Sequence, residues 1–245
     1  MIKASNVSFT LPSGTTLIND VSFEIATHDF VVLLGSNGSG KSTVIKMLNR
    51  QYIPTSGKIL LDNKNIEHIS HQHFSEEVIT LTQFVRDSLF FDLTIAENAI
   101  LIEESYYKNH KQRFNKKQFL VNLKDYLAGF NIKLANSLDT PLFNLSGGEQ
   151  QILAFALYLR HQPKLLLLDE HTSALDPKTG QAIMDFTAKI IREKKLTCIM
   201  TTHNLDYALH YGNRLLAINN GQIVFSSDAE NKKNITKEVL LDKCY

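Results

Sequence analysis

No stretch of this sequence is apolar for long enough to cross a bilayer. The longest unbroken run, ILAFALYL at 152–159, is far short of the ~18 residues of a membrane-spanning helix. The start, MIKASNVSF, lacks the apolar core of a secretion signal. Tryptophan is absent, and only two cysteines occur, Cys198 and Cys244. Neither sits in a CxxC or other ligand-like setting, so the reading is two free thiols in a reducing compartment rather than a disulfide framework or a thiolate metal centre. Charge of one sign is lacking too. With 26 basic and 25 acidic residues the net charge is +1, and no broad field favours nucleic acid or an anionic membrane face. These absences lead us to expect a cytosolic chain whose link to any membrane runs through a partner.

What is present is a core. Of 245 residues, 43% are hydrophobic, enough for one large domain or one domain with an insertion. Val7, Phe9 and Leu11 share one parity, and Leu17, Val21, Phe23 and Ile25 follow the PSGTT turn, which predicts an antiparallel β-hairpin. FVVLLG (30–35), LLLLD (165–169) and LTCIMTTH (196–203) are apolar runs of the length of buried strands, with helical spacing between them in TVIKMLNRQY and KTGQAIMDFTAKIIREKK. That alternation predicts an α/β fold with a mostly parallel sheet. RLLAINNGQIVF reads as a hairpin turning at Asn-Asn-Gly. Between 84 and 160 strand-like runs vanish, so we expect a helical insertion there, with the core formed by 1–83 and 161–245. The basic residues Lys108, Lys111, Arg113, Lys116 and Lys117, with Glu103 and Glu104 interrupting, are expected to be a solvated helix face. The polar tail 227–238 is expected to pack loosely.

Two segments carry chemistry. GSNGSGKST comprises Gly35, Ser36, Asn37, Gly38, Ser39, Gly40, Lys41, Ser42 and Thr43. It fits the P-loop pattern G-x-x-x-x-G-K-[ST] between a strand and a helix, the context that pattern requires. Glycines let backbone N–H groups turn inward onto phosphate at a helix N-terminus, Lys41 reaches the β- and γ-phosphates, and the Ser42 hydroxyl suits Mg²⁺, which prefers oxygen donors. LLLLDE then ends a buried strand in two acids. Asp169 is placed to hold Mg²⁺ through water, and Glu170 to act as general base on an attacking water. A third segment, LSGGEQQ at 145–151, offers a hydroxyl and bare backbone where an apolar helix begins.

GSNGSGKST, LSGGEQQ, LLLLDE, SALD (173–176) and TTH (201–203) stand in the order and spacing of the ATP-binding cassette (ABC) ATPases, which the chain resembles over its whole length. The resemblance implies a P-loop NTPase core with an N-terminal antiparallel β-subdomain and an inserted α-helical subdomain. It implies ATP and Mg²⁺ as ligands, and a head-to-tail homodimer in which Ser146, Gly147, Gly148 and Gln150 contact the nucleotide of the partner copy. Gln83 matches the glutamine that senses the γ-phosphate and Mg²⁺, His203 the histidine that bonds the γ-phosphate, and Asp176 the loop linking the two sites. LTIAENA (93–99) is similar to the segment that helps dock a permease. The implied function is ATP hydrolysis driving import of a small solute through a separate permease, with an extracytoplasmic solute-binding protein. The chain would sit on the cytoplasmic face of the membrane and bind no nucleic acid. A soluble ATPase of the cluster-assembly type and an exporter ATPase stay open. A catalytically dead cassette does not, since Lys41, Gln83, Asp169, Glu170 and His203 are all present.

Two positions depart from the family pattern. Leu11 stands where an aromatic residue usually stacks on adenine, with Phe9 two residues away on the same strand face, so weak purine selectivity is expected. His171 stands where proline is usual, as a pH sensor, a γ-phosphate contact or a local variation. This DEHT form, with ALHYGNRL (208–215), resembles bacterial cassettes assigned to uptake of amino-acid-like solutes of the tryptophan/tyrosine type.

Overall fold

A computed structural model describes residues 1–244. In chain order the elements are β1 (Ile2–Thr10), β2 (Thr16–Ile25), β3 (Phe30–Leu34), α1 (Lys41–Leu48), β4 (Ser56–Leu61), β5 (Lys64–Asn65), α2 (His71–Glu77) and β6 (Val78–Thr82). Then come α3 (Ile95–Asn109), α4 (Lys116–Ala128), α5 (Ile132–Ala135) and α6 (Gly147–Tyr158). The last part holds β7 (Leu165–Asp169), α7 (Pro177–Glu193), β8 (Thr197–Thr202), α8 (Leu205–His210), β9 (Arg214–Asn219), β10 (Gln222–Ser227) and α9 (Lys237–Cys244). The chain divides into two compact units. One comprises 1–80, 163–170 and 188 onward, the other 81–162 and 171–187. The second therefore takes in 171–187 besides the helical stretch expected at 84–160.

The first unit holds two sheets. One, in the order β2-β1-β4-β5, pairs β1 antiparallel with both β2 and β4. The other runs β10-β9-β3-β8-β7-β6. Its middle strands are buried along nearly their whole length, because a parallel sheet has no solvent face and selects apolar runs instead of alternation. β3 is parallel to β8 and β9, and β7 is parallel to β8. Leu34 pairs with Thr202 and Asp169 with Thr201, so β3, β7 and β8 end nearly level. The loops that follow them emerge at one sheet edge, where ligand sites form in such folds. One continuous core joins Ile2, Val7, Ile18 and Ile25 of the antiparallel sheet to Val44 and Met47 of α1 and to Leu33, Leu167 and Ile199 of the parallel one. The β9–β10 hairpin turns at Asn220 and Gly221, both at positive φ, as a two-residue hairpin turn requires. β6 is a strand that the sequence reading did not separate from its surroundings.

In the second unit, α6 is buried almost all round through Leu153, Ala154, Phe155, Ala156 and Leu157, which explains its lack of a polar face. Tyr126 Oη donates to the Ala156 carbonyl at 2.7 Å, and Tyr158 Oη to that of Ser88 at 2.6 Å. Asn98 is buried and pins the loop before α3, accepting from the Phe90 amide and donating to the Phe90 and Thr94 carbonyls.

Three expectations are corrected. Glu103 does not belong to a solvated face. It is buried, and accepts from Arg160 Nε at 2.8 Å and His161 Nε2 at 3.2 Å. Burial alone would raise its carboxyl, but these two partners hold it below the usual range. The five basic residues are exposed as expected, yet they flank the α3–α4 turn rather than line one helix. The tail is not loosely packed throughout. Lys232 is buried with its ammonium on the Tyr211 and Gly212 carbonyls, and that burial lowers its pKa to about 8. Of the two thiols, Cys198 is buried in β8 and its pKa is raised by desolvation. The Cys244 side chain lies outside the described residues.

Candidate nucleotide site

The loop after β3 is shaped by steric demand. A Cβ on Gly35 would lie 2.5 Å from the Ile218 carbonyl and 2.4 Å from Ser39 Oγ, and Gly40 has φ +111°. Only glycine fits both places without strain. α1 starts at Lys41 behind Gly40, with no side-chain cap and no acid in its first turn. The first N–H groups of any helix lack intrahelical partners, so this end of α1 is a partial positive charge suited to an anion. The Lys41 side chain is 4% exposed. Its ammonium donates to the Gly35 and Ser36 carbonyls at 3.0 Å each and pairs with Glu170 Oε1 at 3.2 Å.

At the ends of β7 and β8 stand two acids and a histidine. Ser42 Oγ donates to Asp169 Oδ1 at 3.1 Å. Glu170 leaves the strand with φ +47°, a left-handed conformation unusual for a side chain with a Cβ. His203 Nδ1 lies 3.3 Å from Glu170 Oε2, and its side chain is half exposed. Thr201, which sequence reasoning passed over, lies between the acids. Its hydroxyl donates to Asp169 Oδ1 at 2.7 Å and accepts the Glu170 amide at 3.0 Å. Its place in TTH, two residues before His203 in a buried strand, was the signal available for it. The structure thus brings together Gly35–Thr43, Asp169, Glu170 and His203 within the first unit.

The donors here are hydroxyl and carboxylate oxygens, the set that fits Mg²⁺. Among the described residues no group of three or more His, Cys, Asp or Glu could hold a metal ion.

The other expected residues lie in the second unit. Gln83 is half-buried one residue past β6, ahead of a turn held by Thr82 Oγ1 on the Phe84 carbonyl and Asp87. Ser146 is the N-cap of α6 within a capping box. Its amide and hydroxyl both donate to Glu149 Oε2 at 2.8 Å, and its hydroxyl accepts the Glu149 amide. Lys133 pairs with Glu149 at 2.6 Å, and this bond, then those from Ser146, holds the carboxyl below its usual range. Gln150 Nε2 donates to the Leu142 and Leu145 carbonyls, so in this chain it braces the loop before the helix. A Cβ on Gly148 would come within 3.1 Å of Thr179 Cγ2. Close packing inside the unit thus leaves little room for a side chain at this position. Asp176 caps α7, accepting the Thr179 amide at 3.1 Å, and its carboxyl is lowered by the Thr179 bonds.

Neither chemical reading of His171 is supported. Its ring is buried in the second unit, with Nε2 3.3 Å from Thr187 Oγ1 and Phe155 edge-on. Desolvation lowers its pKa to about 3, so it stays neutral at physiological pH. Gln151, also unforeseen, donates to its backbone carbonyl. Phe9 cannot replace a base-stacking aromatic, because it is buried and stacked on Tyr52 at 4.7 Å. Leu11 is half-buried against the same core.

Comparison with known proteins places this geometry. Residues 18–173 match the family described as ABC transporter. A tyrosine transport ATP-binding protein of Clostridioides difficile is 36% identical, over 99% of this chain and 97% of its own length. A phosphonates import ATP-binding protein of Halalkalibacterium halodurans is 32% identical, over 97% and 93%. Among solved structures, the cassette MJ0796, a dimer in a post-hydrolysis state bound to ADP and Pi, superposes with a TM-score of 0.74 at 25% identity, over 94% of this chain and 99% of that one. cbiO1 of Clostridium perfringens, part of the transporter complex cbiONQ, shares the fold with a TM-score of 0.81 at 24% identity, over 98% and 93%.

Proposed function

Because the chain belongs to the ABC transporter family, whose cassettes hydrolyse ATP to drive transport, we propose that it is the ATPase subunit of an uptake system for a small solute. The pairing of Glu170 with Lys41 on one side and His203 on the other carries this reading. In the hydrolytic step, water oxygen bonds to the γ-phosphorus, its proton passes to Glu170, and the bridging oxygen leaves with ADP. Lys41 and the first turn of α1 hold the phosphates, and His203 orients the γ-phosphate and water. Ser42 and Asp169 would hold Mg²⁺, and the ion would offset phosphate charge.

A second copy of the chain supplies Ser146, Gly147 and Gly148 to the γ-phosphate, with Asp176 linking the two sites. Among the described residues no helix is long and apolar enough to cross a membrane, so translocation falls to a permease. Exposed Phe84, Phe90 and Phe143 in the second unit offer it an apolar docking surface. Phe143 is tied to the loop carrying Phe90 through its amide on the Phe91 carbonyl. The relatives named for tyrosine transport and phosphonate import favour import of an amino-acid-like or small anionic solute over export or soluble cluster assembly. A cytoplasmic position and an extracytoplasmic solute-binding protein complete the system.

The test is capture of Glu170→Gln protein with ATP from native membranes, followed by mass spectrometry. Recovery of a multi-span permease is expected, with a solute-binding protein beside it. Recovery of soluble partners alone would remove the transport reading.

A further inference from the structure

Asp169 and Glu170 can act only when their oxygens point the right way, and a single side chain bonds both residues. Thr201 sits in β8 opposite Asp169, on the neighbouring strand β7, and is buried. A threonine hydroxyl has one proton to give and lone pairs to receive with. The proton goes to Asp169 Oδ1 at 2.7 Å, while the oxygen accepts the Glu170 amide at 3.0 Å. The first bond turns the Asp169 carboxylate so that the same Oδ1 also meets Ser42 Oγ. The second holds the peptide between the acids at the point where Glu170 adopts φ +47°. A non-glycine residue keeps that conformation only when its surroundings over-determine it, and the Thr201 hydroxyl is the side-chain partner of that amide. With the peptide so held, the Glu170 carboxylate reaches Lys41 and His203.

We propose that Thr201 is a positioning residue for hydrolysis, setting the metal-side acid and the general base together. It acts through Asp169 and Glu170, the residues its hydroxyl bonds. The inference rests on the roles given to those two acids above.

The test compares Thr201→Val, which keeps the shape and deletes the hydroxyl, with Thr201→Ser, which keeps the hydroxyl. The loss of a group that orients metal-site ligands typically costs about 10- to 100-fold. Thr201→Val is therefore expected to lower kcat by about 10- to 100-fold and to raise the half-saturating Mg²⁺ concentration several-fold, with KM for ATP changed less than kcat. Thr201→Ser should stay within about threefold of the parent in all three. A purely structural role would lower Tm and scale kcat with the folded fraction, leaving the Mg²⁺ dependence where it was. The proposal is overturned if Thr201→Val keeps kcat and Mg²⁺ dependence within about twofold of the parent, or if Thr201→Ser is as impaired as Thr201→Val. Should the valine variant not fold, Thr201→Ala against Thr201→Ser makes the same comparison across one oxygen atom. Glu170→Gln is run alongside. Hydrolysis surviving in that control sinks the general-base assignment itself, whereas an inactive Glu170→Gln beside an active Thr201→Val sinks only the role of Thr201.

Discussion

Two helices of this chain have serine and glycine at their N-terminal ends, and they complete their first turns in opposite ways. α1 follows Gly40, which has no side chain to cap with, and no acid lies in its first turn. α6 follows Ser146, and its third residue, Glu149, returns its carboxylate to the Ser146 amide and hydroxyl. Both ends expose N–H groups that favour an anion. α6 carries that anion within its own sequence, and α1 needs one from outside. Serine and glycine alone do not distinguish a phosphate cradle from a self-capped helix. The third helical residue does, being Thr43 in one and Glu149 in the other. Under the proposed dimer, a phosphate from the partner copy would have to share or displace an internal carboxylate, which Lys133 already pairs with.

The contrast is broken or sharpened by substitution. The largest effect belongs to Lys41→Ala, which removes the ammonium beside the open end of α1. Hydrolysis should fall by about 10²–10³-fold or more, as for loss of one preorganised charge-stabilising donor, with nucleotide affinity of the isolated chain falling too. Ser146→Ala should cost α6 about 1 kcal/mol of capping and slow hydrolysis, yet leave nucleotide binding by a single chain unchanged. Equal loss of single-chain affinity in both variants, measured by titration calorimetry, would erase the distinction.

A smaller effect concerns His171. Its folded pKa, about 3, lies below the ~6.5 of an unfolded histidine. Its contribution to stability is therefore fully present above pH 6.5 and is lost as pH falls toward 3, at no more than about 1.4 kcal/mol per pH unit. The paired change His171→Leu with Thr187→Val removes both ends of the buried contact. Urea unfolding of that variant should show a shallower acid-side slope between pH 6.5 and 4, and an unchanged slope would refute it. The smallest effect is at Leu11. ATP and GTP should be hydrolysed within about tenfold of each other, and Leu11→Tyr should tighten both by about 0.5–1.5 kcal/mol of stacking. A strong ATP preference that survives Leu11→Ala would contradict this.

The strands at 30–34, 165–169 and 197–202 were legible because burial on both faces selects runs rich in apolar residues in place of alternation. The hairpin at Asn220–Gly221 was legible because its backbone needs those residue types. β6 was not, since VITLT mixes periods and lies at the edge of its sheet. Glu103 and Lys232 were misjudged for one reason. A charged residue reads as exposed until a partner is known, and those partners are 57 and 21 residues away. His171 was ambiguous on similar grounds. Its neighbours in sequence are the chemical DEHT segment, but its neighbours in space are Thr187 and Phe155.

Motif spacing and apolar periodicity were thus enough for the family, the α/β architecture and the glycine-shaped loop after β3, because each depends on short-range backbone preference and on which residues water expels. The pairing of Lys41 with Glu170, the bridging role of Thr201, the internal anion at α6 and the neutrality of His171 came only from the tertiary structure. Each depends on distances across strands and helices far apart in the chain, and on the local dielectric that burial creates. Neither quantity is written in any short stretch of residues.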